Sequence, residues 1–178
     1  MNLPNALTVL RLLLVPVVPI LFARAELLWA LFVFLLASLT DLLDGYLARR
    51  LNQITTFGQL CDPLADKLML IAVLASLYWV GNIPLWLAIA TIVKELTMIV
   101  AASLLYHEGG VIPANWLGKA ATIAFLPAVL SAFFAAYLAP WHIVLLALAT
   151  LLAYVAMTQY GILFLKLMRR KRGGDHGA

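Results

Sequence analysis

Long runs of apolar residues constrain this chain more than any other feature of its sequence. A helix crosses the hydrocarbon layer of a bilayer with about 20 apolar residues, and the 178-residue chain, 65% hydrophobic, contains six such runs. They span residues 7–23, 27–50, 60–80, 84–106, 116–138 and 142–166. A soluble domain of this size could not bury that much apolar surface. The sequence therefore predicts an all-α integral membrane bundle of six transmembrane helices, forming a single domain over residues 1–178.

The basic residues indicate how the bundle is oriented. If both termini lie on one side of the membrane, Arg24 is the one residue among the 12 Lys and Arg that falls on the opposite side. Basic residues concentrate on the cytoplasmic side of membrane proteins, so both termini are expected in the cytoplasm. Residues 168–178 are expected to form a flexible basic tail beside anionic lipid. The net charge of +4 is explained by this distribution and does not indicate nucleic-acid binding.

Four aspartates lie close together in a chain that has only eight acidic residues. Asp41 and Asp44 are three residues apart late in the second predicted helix, and Asp62 and Asp66 are four apart early in the third. Each spacing puts the pair on one face of its helix, so a helical hairpin is expected to gather all four at the cytoplasmic side. A carboxylate at the centre of a spanning helix costs about 2.5–3.5 kcal/mol, so the cluster needs compensation.

Bound divalent cations are one such compensation. Carboxylate oxygens suit Mg²⁺ or Mn²⁺, and four aspartates can bridge two cations about 3.5–4 Å apart, an arrangement that stabilises phosphoryl displacement. The alternatives are protonation of most of the aspartates, or a structural ion-paired cluster with Arg49, Arg50 and Lys67. Three basic side chains would leave one of the four carboxylates in that structural cluster without a counter-charge.

Small residues accompany the aspartates. Gly45 and Ala48 lie on the same helical stripe as Asp41 and Asp44, and Gly58 precedes Asp62. Missing side-chain bulk at these positions either leaves room for a large ligand or permits close helix–helix packing, which small residues also promote in membranes. Arg49, directly after the stripe, is a candidate for a phosphate contact, although a basic residue at an inner helix end is also ordinary topology.

Two further groups of polar residues interrupt the apolar runs. Asn5, Thr8 and Arg11 follow one another at intervals of three and share one helical face, which could either extend to lipid headgroups or face inward toward an anionic ligand. Lys94 and Glu95 lie inside the fourth predicted helix, which is an expensive place unless they face a polar cavity. Their alternative is a snorkelling ion pair.

The acidic segment, written D-x2-D-G-x2-A-R-x8-G-x3-D-x3-D, matches at every fixed position the signature of the CDP-alcohol phosphatidyltransferases, and the chain resembles that family. The resemblance implies an enzyme of phospholipid biosynthesis that displaces CMP from a CDP-linked donor with an alcohol, using two divalent cations, Mg²⁺ or Mn²⁺. It also implies that Asp41, Asp44, Asp62 and Asp66 hold the metals and that Asp66 acts as the general base. Gly45, Ala48, Arg49 and Gly58 would line the nucleotide and pyrophosphate pocket. Members of the family usually form homodimers.

Within that family the N-terminal stripe, Asp62-Pro63-Leu-Ala-Asp66-Lys67 and Trp116-Leu-Gly118-Lys119 are most similar to bacterial phosphatidylglycerophosphate synthases. That similarity implies CDP-diacylglycerol and glycerol 3-phosphate as substrates, and a bacterial cytoplasmic membrane as the location. The acceptor is a dianion, for which the candidate ligands are Lys94, Lys119, Arg11, Lys67, Asn5 and Thr8. One departure concerns the acceptor: these synthases usually carry Arg-Glu where this chain has Lys94-Glu95, and lysine lacks the bidentate geometry of arginine.

Other functions stay open at the level of sequence. Within the family, the acceptor could be phosphatidylglycerol, as in a cardiolipin synthase, or inositol phosphate. Outside it, a divalent-cation carrier is the alternative, because intramembrane carboxylates also mark ion pathways. Against a carrier, the four aspartates cluster at one face, and Glu26 is the one acid expected on the opposite side.

Overall fold

A computed structural model describes the backbone of residues 3–50, 56–107 and 116–174; the side chains it describes are those of residues 5–41, 61–62, 64–101, 116–118, 120–159 and 161. All secondary structure within these ranges is helical, without strands, which confirms the predicted all-α class for this part of the chain. The helices are α1 (Leu3–Leu14), α2 (Val17–Ala23), α3 (Leu27–Arg50), α4 (Thr56–Trp79), α5 (Leu85–His107), α6 (Trp116–Phe133), α7 (Ala135–Leu138) and α8 (Trp141–Gly174).

The first predicted span is divided into two helices. α1 ends at Leu14 and α2 begins at Val17, with Pro16 at the N-cap position of α2. Proline has no N–H to donate and its ring collides with the carbonyl four residues earlier, so a straight helix cannot run through position 16. Proline is well tolerated at the start of a helix, and the chain resumes its helical path directly after it.

The fifth predicted span is also divided. α6 ends at Phe133 and the four-residue α7 follows, with Phe134 between them at φ −102° and ψ 30°. The Phe134 N–H donates to the carbonyl of Ser131, 3.1 Å away, three residues back. This bond closes a tighter turn than the α-helical one and ends α6 before the predicted limit.

A left-handed residue ends α4. Gly81 has φ +79°, its N–H donates to the Tyr78 carbonyl, and the N–H of Asn82 reaches back to the Leu77 carbonyl. This pair of bonds is the Schellman arrangement, in which glycine is favoured because it lacks a Cβ. α4 therefore stops abruptly at Trp79, and α5 begins at Leu85, four residues after Gly81.

The chain forms two compact units, residues 1–92 and 93–178. In the first unit α1 and α2 pack against both α3 and α4, which also pack against each other. Its core includes apolar side chains of α2, α3 and α4, among them Val18, Phe34 and Val73, whereas the buried residues of α1 are the polar Thr8 and Arg11. α1 thus lies in contact with the two helices that carry the predicted acidic cluster. The single domain predicted over 1–178 stays a prediction.

In the second unit α6 packs along α8. Ala121 of α6 and Ala153 and Ala156 of α8 are buried together, with Leu117 and Leu152 packed around them. Small residues let two helix backbones approach closely, which is a common packing device between membrane helices. Pro127 lies inside α6 without ending it.

The outer surface of the described helices is strongly apolar. Leu28, Trp29, Phe32 and Ile123 are each more than half exposed, which in water would be unfavourable over so many positions. Among the described residues, the helical stretches Asn5–Ala23, Trp116–Phe133 and Trp141–Gln159 are long and apolar enough to cross a membrane. Leu27–Asp41, the part of α3 whose side chains are described, is a shorter apolar stretch. The composition of these helices matches that of a membrane bundle.

Candidate active site

The predicted acidic residues lie on two neighbouring helices of the first unit. Asp41 is on α3, and Asp62 and Asp66 are on α4. The backbone of α3 stays helical to Arg50, so positions 41, 44, 45 and 48 share one stripe of a real helix. The side chains of Asp44, Arg49 and Lys119 and the surroundings of Gly45, Ala48 and Gly58 lie outside the described residues, so their predicted roles stay predictions.

Asp41 is ion-paired with an arginine from α1. The Nη1 atom of Arg11 lies 2.7 Å from Oδ1 of Asp41. The arginine side chain is only 1% exposed, whereas that of Asp41 is 38% exposed. The guanidinium therefore meets the carboxylate from the protein interior, and part of the carboxylate stays accessible from outside.

Asp62 contacts a second residue of α1. Thr8, which is fully buried, donates its hydroxyl hydrogen to Oδ1 of Asp62. Thr8 and Arg11 are three residues apart, which corresponds to a rise of about 4.5 Å along the helix. α1 thus brings a carboxylate of α3 and a carboxylate of α4 to side chains on adjacent turns.

These contacts decide between the two interpretations of the polar stripe of α1, Asn5, Thr8 and Arg11. Thr8 and Arg11 are buried and Asn5 is half-buried, so the stripe faces the interior of the first unit and does not extend to lipid headgroups. The stripe meets carboxylates of the predicted metal site. Its predicted contact with the acceptor is a separate matter and stays a prediction.

Asp66, the predicted general base, is more open than Asp41. Its side chain is 49% exposed, and its Oδ2 lies 3.7 Å from Nζ of Lys67. An ion pair this long and this exposed contributes little, about 0–1 kcal/mol. The side chain of Asp66 therefore stays half-exposed beside Lys67.

The donor chemistry of these side chains fits a hard divalent cation. Carboxylate oxygens are what Mg²⁺ and Mn²⁺ prefer, and Asp41 and Asp62 keep accessible surface while they are fixed from the interior side. Within the described side chains, no group of three or more His, Cys, Asp or Glu comes close enough to hold an ion. Asp44, the fourth predicted ligand, is outside that range.

The second unit contains a buried ion pair on α5. Nζ of Lys94 donates to Oε1 of Glu95 and lies 5.2 Å from the centre of the Phe125 ring of α6. The side chain of Glu95 is 1% exposed and that of Lys94 is 12% exposed. The pair anticipated from the sequence is present, but burial rules out a snorkelling pair that reaches from the protein into solvent.

Sequence reasoning did not find the partner of Asp41. It considered Arg49, Arg50 and Lys67 as counter-charges for the acidic cluster. Lys67 pairs with Asp66, and the side chains of Arg49 and Arg50 lie outside the described residues. The pairing of Asp41 with Arg11, thirty positions earlier, was not predicted. The available signal was the spacing of Thr8 and Arg11, which placed both on one face of a helix. Spacing along one helix does not specify which neighbouring helix that face meets.

Comparison with known proteins identifies the family. Residues 1–164 match the profile of the CDP-alcohol phosphatidyltransferases, which covers most of the chain. The chain belongs to this family. The family predicted from the eight fixed positions of the acidic segment is therefore confirmed, and with it the class of enzyme.

Several curated relatives share more than a third of their aligned residues with this chain. The cardiolipin synthase (CMP-forming) of Streptomyces coelicolor is 40% identical over 129 residues, 68% of this chain and 60% of that protein. The CDP-diacylglycerol–glycerol-3-phosphate 3-phosphatidyltransferase of Bacillus subtilis is 38% identical over 72% of this chain and 74% of its own length. A Mycobacterium tuberculosis protein named "Probable phosphatidylglycerophosphate synthase" is 37% identical over 89% of this chain and 79% of its own.

The names of these relatives agree with the resemblance seen in the sequence. Two of these three relatives are named for the synthesis of phosphatidylglycerophosphate, the enzyme type to which the polar stripe and the Asp62–Lys67 segment are most similar. The third is named for the synthesis of a different lipid, cardiolipin, and matches over less than two thirds of its own length. All three names are those of phospholipid-synthesising enzymes.

Proposed function

We propose that this protein synthesises phosphatidylglycerophosphate in the membrane by transferring the phosphatidyl group of CDP-diacylglycerol to glycerol 3-phosphate. The acceptor hydroxyl oxygen forms a new bond to the phosphatidyl phosphorus, the bond from that phosphorus to the CMP oxygen breaks, and CMP leaves with the electron pair. Family membership supports the reaction class, and the names of the Bacillus and Mycobacterium relatives support the acceptor.

In this proposal each aspartate has a defined task. Asp41, Asp44 and Asp62 hold two divalent cations, Mg²⁺ or Mn²⁺, together with Asp66, which also takes the proton of the acceptor hydroxyl. When bound, the cations neutralise the diphosphate and stabilise the departing CMP. The half-exposed side chain of Asp66 supports the base role, because a base must be reachable by the acceptor.

The remaining family positions bind the two substrates. Gly45, Ala48 and Gly58 leave room for the nucleotide and pyrophosphate, and Arg49 contacts a phosphate. Lys94 and Lys119 are the leading ligands for the phosphate of the acceptor, with Lys67 and the polar stripe of α1 as further candidates. The second unit supports a role for Lys94, because Glu95 and the Phe125 ring fix the position of its ammonium group.

One observation carries the proposal furthest: α1 contacts Asp41 of α3 and Asp62 of α4 through side chains on adjacent turns. Two acids that are 21 residues apart in the chain are thereby tied to one short segment of helix. A purely structural ion pair has no need for a second carboxylate on the neighbouring turn. A site that binds cations through both has that need.

A second acceptor has a specific observation in its favour. The Streptomyces relative at 40% identity is named a cardiolipin synthase, and the corresponding acceptor would be phosphatidylglycerol. Lys94, in place of the arginine usual in the glycerol 3-phosphate enzymes, is compatible with a different acceptor because lysine lacks the bidentate geometry of arginine.

A substrate screen tests the reaction and the acceptor together. Purified protein is incubated with Mg²⁺ or Mn²⁺, CDP-diacylglycerol and, separately, glycerol 3-phosphate, phosphatidylglycerol and inositol phosphate, and the release of CMP is followed. We expect turnover with glycerol 3-phosphate, its loss on chelation with EDTA, and its recovery on adding Mn²⁺. Turnover with phosphatidylglycerol alone would assign the protein to the cardiolipin synthases.

The acceptor assignment has a sharper test in the lysines. Removing a charged hydrogen-bond donor costs about 1.5–3 kcal/mol, so Lys94→Ala and Lys119→Ala should each raise the KM for glycerol 3-phosphate by roughly 10- to 100-fold. The KM for CDP-diacylglycerol, which the aspartates and the small residues are proposed to bind, should stay constant in both variants. An unchanged acceptor KM in both would remove these lysines from the acceptor pocket.

We further propose six transmembrane spans with both termini and the acidic site at the cytoplasmic face of a bacterial membrane, and assembly as a homodimer. The distribution of Lys and Arg supports this orientation, and the three apolar helical stretches support a multi-pass bundle. Cysteine-accessibility labelling of residues introduced at positions 82 and 174 tests the topology. Position 174 should react only from the cytoplasm and position 82 only from outside.

A further inference from the structure

We propose that Arg11 and Thr8 are positioning residues for the metal-binding carboxylates, holding Asp41 and Asp62 in place from the interior of the protein. This inference rests on the proposed metal site and adds a role that the family signature does not contain, because both residues lie on α1, outside the acidic segment. Neither residue is proposed to touch the cations.

The burial of the four side chains indicates the direction of the contact. Arg11 is 1% exposed and Thr8 is fully buried, whereas Asp41 keeps 38% of its side-chain surface and Asp62 is half-buried. A cation that arrives from the accessible side therefore meets a carboxylate whose interior side is already occupied.

The chemistry of the two contacts suits positioning. An arginine has donors only and cannot coordinate a metal, and the buried guanidinium of Arg11 is ion-paired with Asp41, so removing either charge would leave the other uncompensated. The Thr8 hydroxyl hydrogen is directed at Oδ1 of Asp62. Ligating carboxylates are commonly oriented by such partners, and the loss of one typically weakens metal binding 10- to 100-fold.

The fixed spacing along α1 adds a geometric consequence. Side chains three residues apart on a helix are neighbours on its surface, so Thr8 and Arg11 set the separation between the carboxylates that they hold. One of these two carboxylates is on α3 and the other is on α4, and both are in contact with α1. α1 therefore acts as the common reference for both ligands.

The test measures Mn²⁺ affinity of the full-length, metal-free protein in detergent, by the electron paramagnetic resonance signal of free Mn²⁺. Thr8→Val keeps the shape of the side chain and removes the hydroxyl; it should raise the Kd roughly 10-fold or more. Thr8→Ser, which restores a hydroxyl, should recover most of the affinity. Thr91→Val is the matched control, because Thr91 is equally buried but its hydroxyl donates to the Leu87 carbonyl of its own helix, and its Kd should equal that of the wild type.

Arg11→Met removes the guanidinium and keeps an apolar stem, and it should also raise the Kd roughly 10-fold or more. The Kd of Arg11→Lys should lie between those of Arg11→Met and the wild type, because lysine keeps the charge but lacks the planar guanidinium group. A wild-type Kd in both Thr8→Val and Arg11→Met overturns the inference, and so does tighter binding in Arg11→Met. Should Arg11→Met fail to fold, the three threonine variants decide the outcome.

The same measurement separates this inference from the proposed function. Asp41→Asn and Asp62→Asn should each weaken Mn²⁺ binding by more than the α1 variants do. If both asparagine variants bind as the wild type does, the proposed metal site itself is wrong. If they lose binding while Thr8→Val and Arg11→Met keep it, the metal site stands and the positioning role is wrong.

Discussion

Arg11 of α1 and Asp41 of α3 form an ion pair in which one partner is buried and the other is partly open, with 2.7 Å between Nη1 and Oδ1. A charged side chain in an apolar bundle is expensive unless it is paired. Here the arginine is the deeper partner, so the fold depends on the carboxylate that the proposed reaction also uses. Asp41 therefore neutralises a buried arginine in the fold and is also a proposed ligand of the metal.

The first prediction is that Asp41→Asn destabilises the metal-free protein. Removal of one partner from a fully buried pair costs about 3–5 kcal/mol; because Asp41 is partly exposed and therefore solvent-screened, we expect about 1–3 kcal/mol. Thermal unfolding in EDTA measures this without any contribution from bound metal. Glu26→Gln, at an exposed acid outside the site, is the control and should leave the unfolding temperature unchanged; equal behaviour of the two variants would contradict the prediction.

The second prediction concerns the proton of the acceptor hydroxyl. Asp66→Asn keeps the size and the hydrogen-bonding capacity of the side chain but removes the base, so kcat should fall by roughly 10²- to 10⁴-fold. Binding of CDP-diacylglycerol, measured by calorimetry in the presence of Mn²⁺, should persist. The same Glu26→Gln control should retain full activity.

Two alternative results have clear meanings for Asp66. Turnover near that of the wild type in Asp66→Asn would remove the residue from the base role. Loss of donor binding together with turnover would instead make Asp66 primarily a ligand of the cations.

The third prediction concerns the buried pair of α5. Glu95→Gln removes the negative charge that accompanies Lys94, and because both side chains are largely buried the free energy of unfolding should fall by about 3 kcal/mol. Replacement of both residues with apolar ones, Lys94→Met with Glu95→Leu, should restore most of that loss, since neither charge of the pair stays buried without the other. Reversible unfolding in mixed detergent compares the three proteins.

The third prediction separates two uses of the pair. If the double variant regains stability but does not bind the acceptor, Lys94 is retained for the substrate and not for the fold. A double variant less stable than Glu95→Gln would mean that the contacts of this pair stabilise the bundle in their own right.

The helices of this chain were largely predictable, because long apolar runs leave few alternatives to helix in a membrane protein. The second predicted span, 27–50, coincides with α3 at both ends. The break at Pro16 was not predicted, since proline is common in membrane helices and whether it kinks or ends one depends on packing around it. The spacing of three between Thr8 and Arg11 predicted their shared face.

Only the structure shows which residues contact that face of α1. Periodicity reports the angle of a residue about its own helix but carries no information on which helix lies opposite. Arg11 therefore could not be matched to Asp41, nor Thr8 to Asp62, from spacing alone. The acidic segment itself was recognisable because eight fixed positions specify a pattern far more tightly than one polar stripe.

The fourth prediction tests the packing of α6 against α8. Ala121 and Ala156 are buried against each other's helices, so Ala156→Leu inserts three extra carbon atoms where the backbones are close. Overpacking of this kind costs about 1–3 kcal/mol, and the unfolding temperature should fall. Ala136→Leu makes the same chemical change at an exposed position of α7 and should have no measurable effect.

Because the acidic site belongs to the first unit, Ala156→Leu should leave the Mn²⁺ affinity unchanged. A loss of affinity that accompanies the loss of stability would mean that the two units are energetically coupled.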